Sequence, residues 1–192
     1  IGKRLVEIDE RNADAYAILG MTEFESARPQ DGLLKMQRAI QYAPNNSYFQ
    51  LELAEMYRAM NKKYMAVAAY EKALQLAPGY RQVYLNFAGF YAEYGESEAS
   101  EELVQDALAL FPEDAVIMFN LGVLRFRKGY VREALEWWEK SLNAYPNEAL
   151  RNDILQSIQF AESVRVCPVC GRRMQEEWVT CPYDGAVLPK SP

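Results

Sequence analysis

The sequence predicts an all-α solenoid of helix–turn–helix pairs that ends in a small C-terminal β-hairpin module. Three observations lead to this prediction. Four prolines recur at intervals of 34 residues, the small and large apolar residues between them keep the same interval, and two similar cysteine-containing corners lie in the last quarter of the chain. The four prolines are Pro44, Pro78, Pro112 and Pro146.

The prolines divide most of the chain into four blocks without any insertion between them. Small residues at positions 8, 20 and 27 of each block allow two helices to approach closely, and large apolar residues at positions 7, 24 and 28 fill the space between them. Proline stops the second helix because it cannot continue the hydrogen-bond ladder. The blocks are 13–46, 47–80, 81–114 and 115–148.

This pattern resembles the tetratricopeptide repeat (TPR) family. The segment "NLGVLRFRKGYVREALEWWEKSLNAYP" in block 115–148 carries the resemblance most clearly, and block 13–46 departs most, with Glu23 where an aromatic residue is expected. The resemblance implies paired helices whose first members line a concave groove, and it implies protein–protein interaction as the function. Aromatic residues at consensus positions are expected in the core, namely Tyr16, Tyr57, Tyr70, Tyr84, Tyr91 and Trp138.

The two ends of the repeat array are predicted to differ. Residues 1–12 fit the end of an earlier repeat that lacks its first helix, so we expect further sequence upstream. Residues 149–164 place apolar side chains on one helical face, as expected of a helix that caps the last repeat. Residues 165–188 form the cysteine-containing module, and 189–192 form a tail.

Composition disfavours several classes of function. The net charge of −6 opposes non-specific binding to nucleic acid. The chain has no histidine and shows no catalytic constellation, so we expect no enzyme activity. No apolar run reaches the roughly 18 residues that span a bilayer. We expect a cytoplasmic protein, and membrane association through an upstream segment remains open.

The resemblance assigns groove-facing positions to the first helix of each block. An Asn amide there offers both a donor and an acceptor to the backbone of an extended partner peptide, and exposed Phe side chains offer an apolar patch. The same Phe side chains could instead contact the C-terminal module. The candidate partner-binding residues are Tyr48, Leu51, Arg58, Asn86, Phe119, Asn120, Phe126 and Arg127.

The two corners "CPVCG" and "CPYDG" have matching spacing and predict a zinc ribbon. The predicted ligands are Cys167, Cys170, Cys181 and Asp184, where the carboxylate stands in place of a fourth thiolate. Zinc is preferred to iron because the iron sites of rubredoxins use four thiolates. So small a module has little core, so a structural metal would supply much of its folding free energy. A degenerate corner without metal is the alternative.

Repeats, cap and ribbon together resemble the bacterial lipopolysaccharide assembly protein B family, whose members act as adaptors. Three of its four ligand positions match Cys167, Cys170 and Cys181, and Asp184 does not. The sequence therefore predicts a non-catalytic adaptor or scaffold for a protein or peptide partner, with a metal-stabilised ribbon. The alternative is a structural protein that self-associates into oligomers or filaments.

Overall fold

The computed structural model describes residues 10–26 and 28–188 of the chain. Within these ranges, nine α-helices follow one another, two in each predicted block and one after the last block. They are α1 Ala13–Glu25, α2 Pro29–Tyr42, α3 Ser47–Ala59, α4 Lys63–Leu76, α5 Arg81–Glu93, α6 Ser97–Leu110, α7 Ala115–Arg127, α8 Val131–Asn143 and α9 Glu148–Glu162. The predicted all-α architecture of helix pairs is confirmed. The expectations for residues 1–9 and for the tail 189–192 fall outside the described residues.

The turn between the two helices of a block has the same backbone geometry in three blocks. Asn61, Gly95 and Gly129 each have a positive φ, at 55°, 74° and 84°, and they lie 34 residues apart. Glycine and asparagine tolerate this left-handed conformation better than other residues. The next N–H group then bonds back across the turn, as from Tyr130 to the Arg125 carbonyl at 2.9 Å. This bond satisfies a carbonyl that the helix end would otherwise leave unpaired.

Several first helices begin at a side-chain cap. Asn12 accepts a hydrogen bond from the N–H of Ala15 at 2.8 Å, and Asp114 accepts from Val116 at 2.9 Å. Asn46 lies one repeat after Asn12 and also caps its helix. Since these acceptors satisfy N–H groups that have no partner within the helix, the repeat period of the sequence also fixes where the helices start.

The chain divides into two compact units, residues 1–90 and 91–192. In the first unit, α1 packs on α2, α2 on α3 and α3 on α4. The Tyr70 ring is fully buried and stacks on Phe87 with ring centroids 4.8 Å apart. Tyr16 and Tyr84 are also buried, as predicted, whereas Tyr57 is only half-buried.

In the second unit, α6 packs on α7, α7 on α8, and α9 on both α7 and α8. Trp138 lies at the centre of this core with 2% of its surface exposed. Ile154 and Ala161, on the predicted apolar face of α9, belong to the same cluster. Tyr91, expected in the core, is half-buried. No helix in the described ranges is both long and apolar enough to cross a membrane.

The predicted C-terminal β-hairpin is not seen in the described residues. The described residues of this module form only isolated bridges, one of which joins Val166 to Arg173 and another Thr180 to Val187. Each corner therefore closes on its own flanking residues. Arg165 contributes to this arrangement, since its guanidinium donates to the carbonyls of Gln175 at 2.9 Å and Glu176 at 2.8 Å.

Candidate metal centre and partner-binding faces

The four predicted metal ligands lie together. The Sγ atoms of Cys167, Cys170 and Cys181 and a carboxylate oxygen of Asp184 are all within 4.8 Å of one another. The Sγ atoms of Cys170 and Cys181 are 3.7 Å apart, and Asp184 Oδ2 is 3.3 Å from the Sγ of Cys167. Zinc–sulfur bonds of about 2.3 Å in a tetrahedron place two sulfur ligands about 3.8 Å apart. The donor set and its spacing therefore fit a zinc ion.

Two backbone turns of the same kind bring these ligands together. In the first corner, the Gly171 N–H donates to the Cys167 carbonyl at 2.9 Å, and in the second the Gly185 N–H donates to the Cys181 carbonyl at 2.9 Å. Both glycines have a positive φ, 68° and 73°, which the turn requires and which side chains disfavour. Each corner therefore depends on a glycine directly after its second candidate ligand.

Backbone N–H groups point at the sulfur atoms of the first corner. Burial raises the pKa of the Cys167 thiol, but hydrogen bonds from the N–H groups of Cys170 and Val169 outweigh burial and leave this pKa below its ordinary value. Burial raises the pKa of the Cys170 thiol to about 12, and the N–H of Arg172 acts in the opposite direction. Both cysteines therefore have amide donors directed at them.

Asp184 has donors of its own. Its Oδ1 accepts a hydrogen bond from the N–H of Ala186 at 2.8 Å, and this bond is the largest of the effects that hold the pKa of Asp184 well below its usual range. The Cys170 thiol is the next donor to act on this carboxylate. An ionised carboxylate with one oxygen fixed by a backbone N–H can present its other oxygen to a cation.

The ribbon, residues 165–188, rests on the last helix pair through two arginines. The Arg172 guanidinium lies between two rings, 4.5 Å from the centroid of Tyr130 and 4.2 Å from that of Tyr183, and it donates to the Tyr130 hydroxyl at 2.9 Å. Arg132, in the first turn of α8, donates to the carbonyls of Pro168 at 2.9 Å and Val169 at 3.1 Å. Cation–π contacts and bonds to carbonyls thus fix the ribbon on this repeat.

A chain of ion pairs supports the repeat surface beneath the ribbon. Glu101 of α6 is 8% exposed and pairs with Arg125 and Lys128, each at 2.6 Å. Arg125 also reaches Glu133 at 3.5 Å and lies 6.0 Å from the Tyr130 ring centroid. The charged network therefore links α6, α7 and α8 to the tyrosine that the ribbon contacts.

In the first unit, the candidate partner-binding residues surround one carboxylate. Glu55 accepts hydrogen bonds from the Tyr70 hydroxyl, from the Asn86 amide at 2.9 Å and from Arg58 at 3.2 Å. The Asn86 side-chain oxygen in turn accepts from Gln82 at 2.6 Å. Asn86 is therefore held in place by neighbours on both of its polar atoms, and its second N–H and second lone pair stay available for other bonds.

The other two candidates of the first unit differ from each other in exposure. Tyr48 is 39% exposed and stands beside Glu52. Leu51 is only 3% exposed, so it supports this face from within the core and does not line it. Burial raises the pKa of Glu52, and the hydrogen bond from Tyr48 lowers it. The negative charges of Glu55 and Glu25 raise this pKa further.

In the second unit, the candidate residues contact the core and the cap. The rings of Phe119 and Phe126 lie 6.4 and 5.7 Å from the Trp138 ring, and Phe126 also lies 5.7 Å from Phe160 of the capping helix. Both Phe side chains and Asn120 are half-buried, and Arg127 is exposed. Packing against Trp138 and against the capping helix thus covers part of the surface of these two rings.

Some residues of these sites had no signal in the sequence. Arg132 contacts carbonyls 36 and 37 residues away, and nothing in its local pattern indicates this. Tyr130 directly precedes the second helix of its block, and nothing in the sequence around it indicates its contact with Arg172 of the ribbon. Glu55 differs from these two residues, because the resemblance places it at a groove-facing position, where a carboxylate among apolar neighbours is visible in the sequence.

A family model for the tetratricopeptide repeat matches residues 48–80. The type IV pilus assembly protein PilF of Pseudomonas aeruginosa is 26% identical over 137 residues, which cover 70% of this chain and 54% of that protein. The cellulose synthase operon protein C of Pseudomonas fluorescens is 37% identical over 71 residues, covering 37% of this chain and 6% of that protein. The chain thus spans about half the length of the first relative and a small part of the second.

Solved structures share the fold. MamA has a TM-score of 0.63 at 20% identity and covers 74% of this chain and 84% of its own. The structure of PilF from Pseudomonas aeruginosa has a TM-score of 0.65 at 23% sequence identity, and the match covers 80% of this chain and 68% of PilF. YrrB, described as a TPR protein with an unusual peptide-binding site, has a TM-score of 0.61 at 17% sequence identity. The match covers 81% of this chain and 80% of YrrB.

The described residues have a fold built from repeated α-helix pairs. In particular, this is the all-α fold of TPR proteins, and residues 48–80 are similar in sequence to the tetratricopeptide repeat.

Proposed function

We propose that the protein is a non-catalytic adaptor that binds a segment of a protein partner on the first helices of its repeats. Proteins built from this repeat mediate protein–protein interaction. The observation that supports the proposal best is the partly exposed polar cluster on α3 and α5, in which Glu55 holds Arg58 and Asn86 in fixed positions. Pre-organised side chains lose less conformational freedom when a partner binds.

The chemistry of this face favours a partner segment with donor groups. Burial raises the pKa of Glu52, and the neighbouring Glu55 carboxylate adds to this effect by charge repulsion. A cationic side chain of the partner would relieve this repulsion, and backbone N–H groups would find acceptors in Glu55 and Asn86. Tyr48 adds an exposed ring at the same face. In the second unit, Arg127 and Asn120 are the candidates for further contacts.

Site-specific photo-crosslinking tests the adaptor role. A benzophenone amino acid at position 48, on α3, is compared with the same group at position 64, which is 88% exposed and lies on the second helix of the block. We expect a discrete partner from position 48 that is absent from position 64 and is lost in the Arg58→Ala/Asn86→Ala variant. Equal crosslinking from both positions would contradict binding on this face. If only copies of the chain itself are crosslinked, and light scattering shows mass rising with concentration, self-association replaces the adaptor role.

We further propose that Cys167, Cys170, Cys181 and Asp184 hold one structural zinc ion. The carrying observation is the donor spacing, with two Sγ atoms 3.7 Å apart and a carboxylate oxygen 3.3 Å from the third. The ion would close both corners on one centre and so stabilise a module with little core of its own. Elemental analysis of the purified protein is expected to find about one zinc per chain. Absence of metal together with three thiols that react freely would refute this part of the proposal.

A further inference from the structure

Arg132 contacts the first metal corner in an unusual pattern. Its two Nη atoms donate to the carbonyls of Pro168 and Val169 at 2.9 and 3.1 Å, and its backbone N–H donates to the Gly171 carbonyl at 3.3 Å. Arg132 belongs to the first turn of α8, so these three bonds come from the repeat and not from the ribbon. One residue of the last repeat therefore donates to three of the four carbonyl groups between Pro168 and Gly171.

Each of these carbonyls belongs to a peptide unit whose other end points at a sulfur atom. The Pro168 carbonyl shares its peptide unit with the N–H of Val169, and the Val169 carbonyl shares one with the N–H of Cys170; both N–H groups bond to the Cys167 thiol. The Gly171 carbonyl shares its unit with the N–H of Arg172, which bonds to the Cys170 thiol. A donor on a carbonyl polarises the peptide unit and strengthens the bond that its N–H donates.

We propose that Arg132 is a positioning residue of the metal centre, which orients and polarises the three peptide units that donate to Cys167 and Cys170. This inference rests on the proposed zinc site. Through it the last repeat contributes to the affinity of the ribbon for its metal. Because the linkage is reciprocal, metal binding strengthens the attachment of the ribbon to the repeat by the same factor.

The two glycine corners differ in a way that supports this role. A Cβ atom at Gly171 would lie 2.6 Å from the Cβ of Arg132 and 3.1 Å from its Nε, whereas a Cβ at Gly185 would meet nothing within 4 Å. Arg132 thus lies directly against the first corner, and the absence of a side chain at Gly171 makes this approach sterically feasible. The second corner has open space at the equivalent position.

The test compares zinc affinity in four full-length proteins: wild type, Arg132→Ala, Arg132→Lys and the control Arg151→Ala. Arg151 is an exposed arginine on α9. Affinity is measured by competition with a chromophoric chelator for Zn²⁺, and Co²⁺ is used as a spectroscopic probe. Loss of hydrogen bonds that orient metal ligands weakens binding by 10–100-fold. Since Arg132 is exposed, we expect about a tenfold loss in Arg132→Ala, the lower end of that range.

The variants separate positioning from general stability. We expect a smaller loss in Arg132→Lys, which keeps the charge but not the two-armed fork, and no change in Arg151→Ala. The sulfur-to-cobalt charge-transfer band should move to longer wavelength in Arg132→Ala, because weaker N–H donors stabilise the thiolate electrons less. Wild-type affinity and an unshifted band in Arg132→Ala would overturn the inference while leaving the zinc proposal intact. A wild-type chain that binds no Zn²⁺ would overturn both.

Discussion

The substitution Gly122→Ala tests how tightly the last helix pair is packed. Gly122 lies on α7 at the small-residue position of its block, where α7 and α8 meet. A Cβ atom added there would lie 2.4 Å from Trp138 Nε1 and 2.5 Å from Cδ1. Optimal contacts between carbon atoms are about 3.5–4.0 Å, so the indole ring must move by roughly 1 Å.

The ring has little room for this movement. Trp138 is 2% exposed, its neighbours Phe119 and Phe126 have centroids 6.4 and 5.7 Å away, and its N–H donates to the Phe119 carbonyl at 3.2 Å. Overpacking of a core costs about 1–3 kcal/mol. A weakened hydrogen bond adds about 0.5–1.5 kcal/mol. The better helix propensity of alanine offsets about 1 kcal/mol. We therefore expect a net destabilisation of roughly 0.5–3.5 kcal/mol.

The matched control is Gly89→Ala. Gly89 lies within α5, and a Cβ atom there would meet nothing within 4 Å. Only the propensity effect remains, so this variant should be more stable than wild type by about 1 kcal/mol. The pair compares the same chemical change with and without a steric neighbour.

Denaturant unfolding measures both effects. All three tryptophans, Trp137, Trp138 and Trp178, lie in the second unit, so their fluorescence follows that unit, and circular dichroism follows the helices of the whole chain. A Gly122→Ala protein that is as stable as Gly89→Ala would refute the packing argument. It would mean that the α7–α8 interface adjusts to an extra methyl group without loss.

Three further predictions concern buried charge, a buried hydroxyl and the metal. Glu101→Gln should destabilise the second unit by about 1–3 kcal/mol, because Arg125 and Lys128 lose the charged acceptor that both of them bind. Glu98→Gln, at a side chain that is 84% exposed, should change the stability little. Urea unfolding compares the two variants. Ser141→Ala should cost about 0.5–1.5 kcal/mol, read from the melting temperature, because the buried hydroxyl donates to the Ala115 carbonyl at 2.6 Å. Zinc affinity should rise with pH when followed by chelator competition, since a thiol whose pKa is raised to about 12 must release its proton on binding; an affinity independent of pH would contradict thiolate ligation.

The repeat architecture could be predicted because it depends on local properties that recur. The positive φ angles of Asn61, Gly95 and Gly129 and the caps at Asn12 and Asn46 all follow the 34-residue period. Each repeat folds by the same short-range rules, so one period read from the sequence gives the approximate limits of all the helices.

The candidate metal ligands could also be predicted, because the spacing within each corner is short. The hairpin prediction was wrong because it extended this reasoning beyond the corners and assumed that the residues between them pair with each other. The structure instead pairs Arg173 with Val166 within the first corner and Arg172 with Tyr130 of the last repeat. The second contact depends on where the ribbon rests on the repeat. Sequence spacing alone does not contain that information.

The exposure of the candidate partner-binding residues is the feature hardest to predict from the sequence, because it depends on neighbours that are distant in the chain. Leu51 has the periodic position of a groove residue but is buried, and Phe126 is covered in part by Phe160 of the capping helix. The sequence predicts that the Asn86 amide faces a partner, whereas its hydrogen bond to Glu55 joins residues that are 31 positions apart in the chain. Such contacts appear only when the helices are packed.

The contact between Arg132 and the ribbon distinguishes the last repeat from the other, similar repeats of the chain. Arg132 stands at position 18 of its block, and the equivalent residues of the earlier blocks are Gln30, Tyr64 and Glu98. The four helix pairs therefore carry different residues at the position whose arginine contacts the first cysteine corner in the last pair. Loss of block 47–80 during evolution would shorten the array by one repeat and keep the contact between Arg132 and the ribbon. Loss of block 115–148 would remove the surface that the ribbon contacts. The number of repeats can thus vary without changing which repeat carries the C-terminal module.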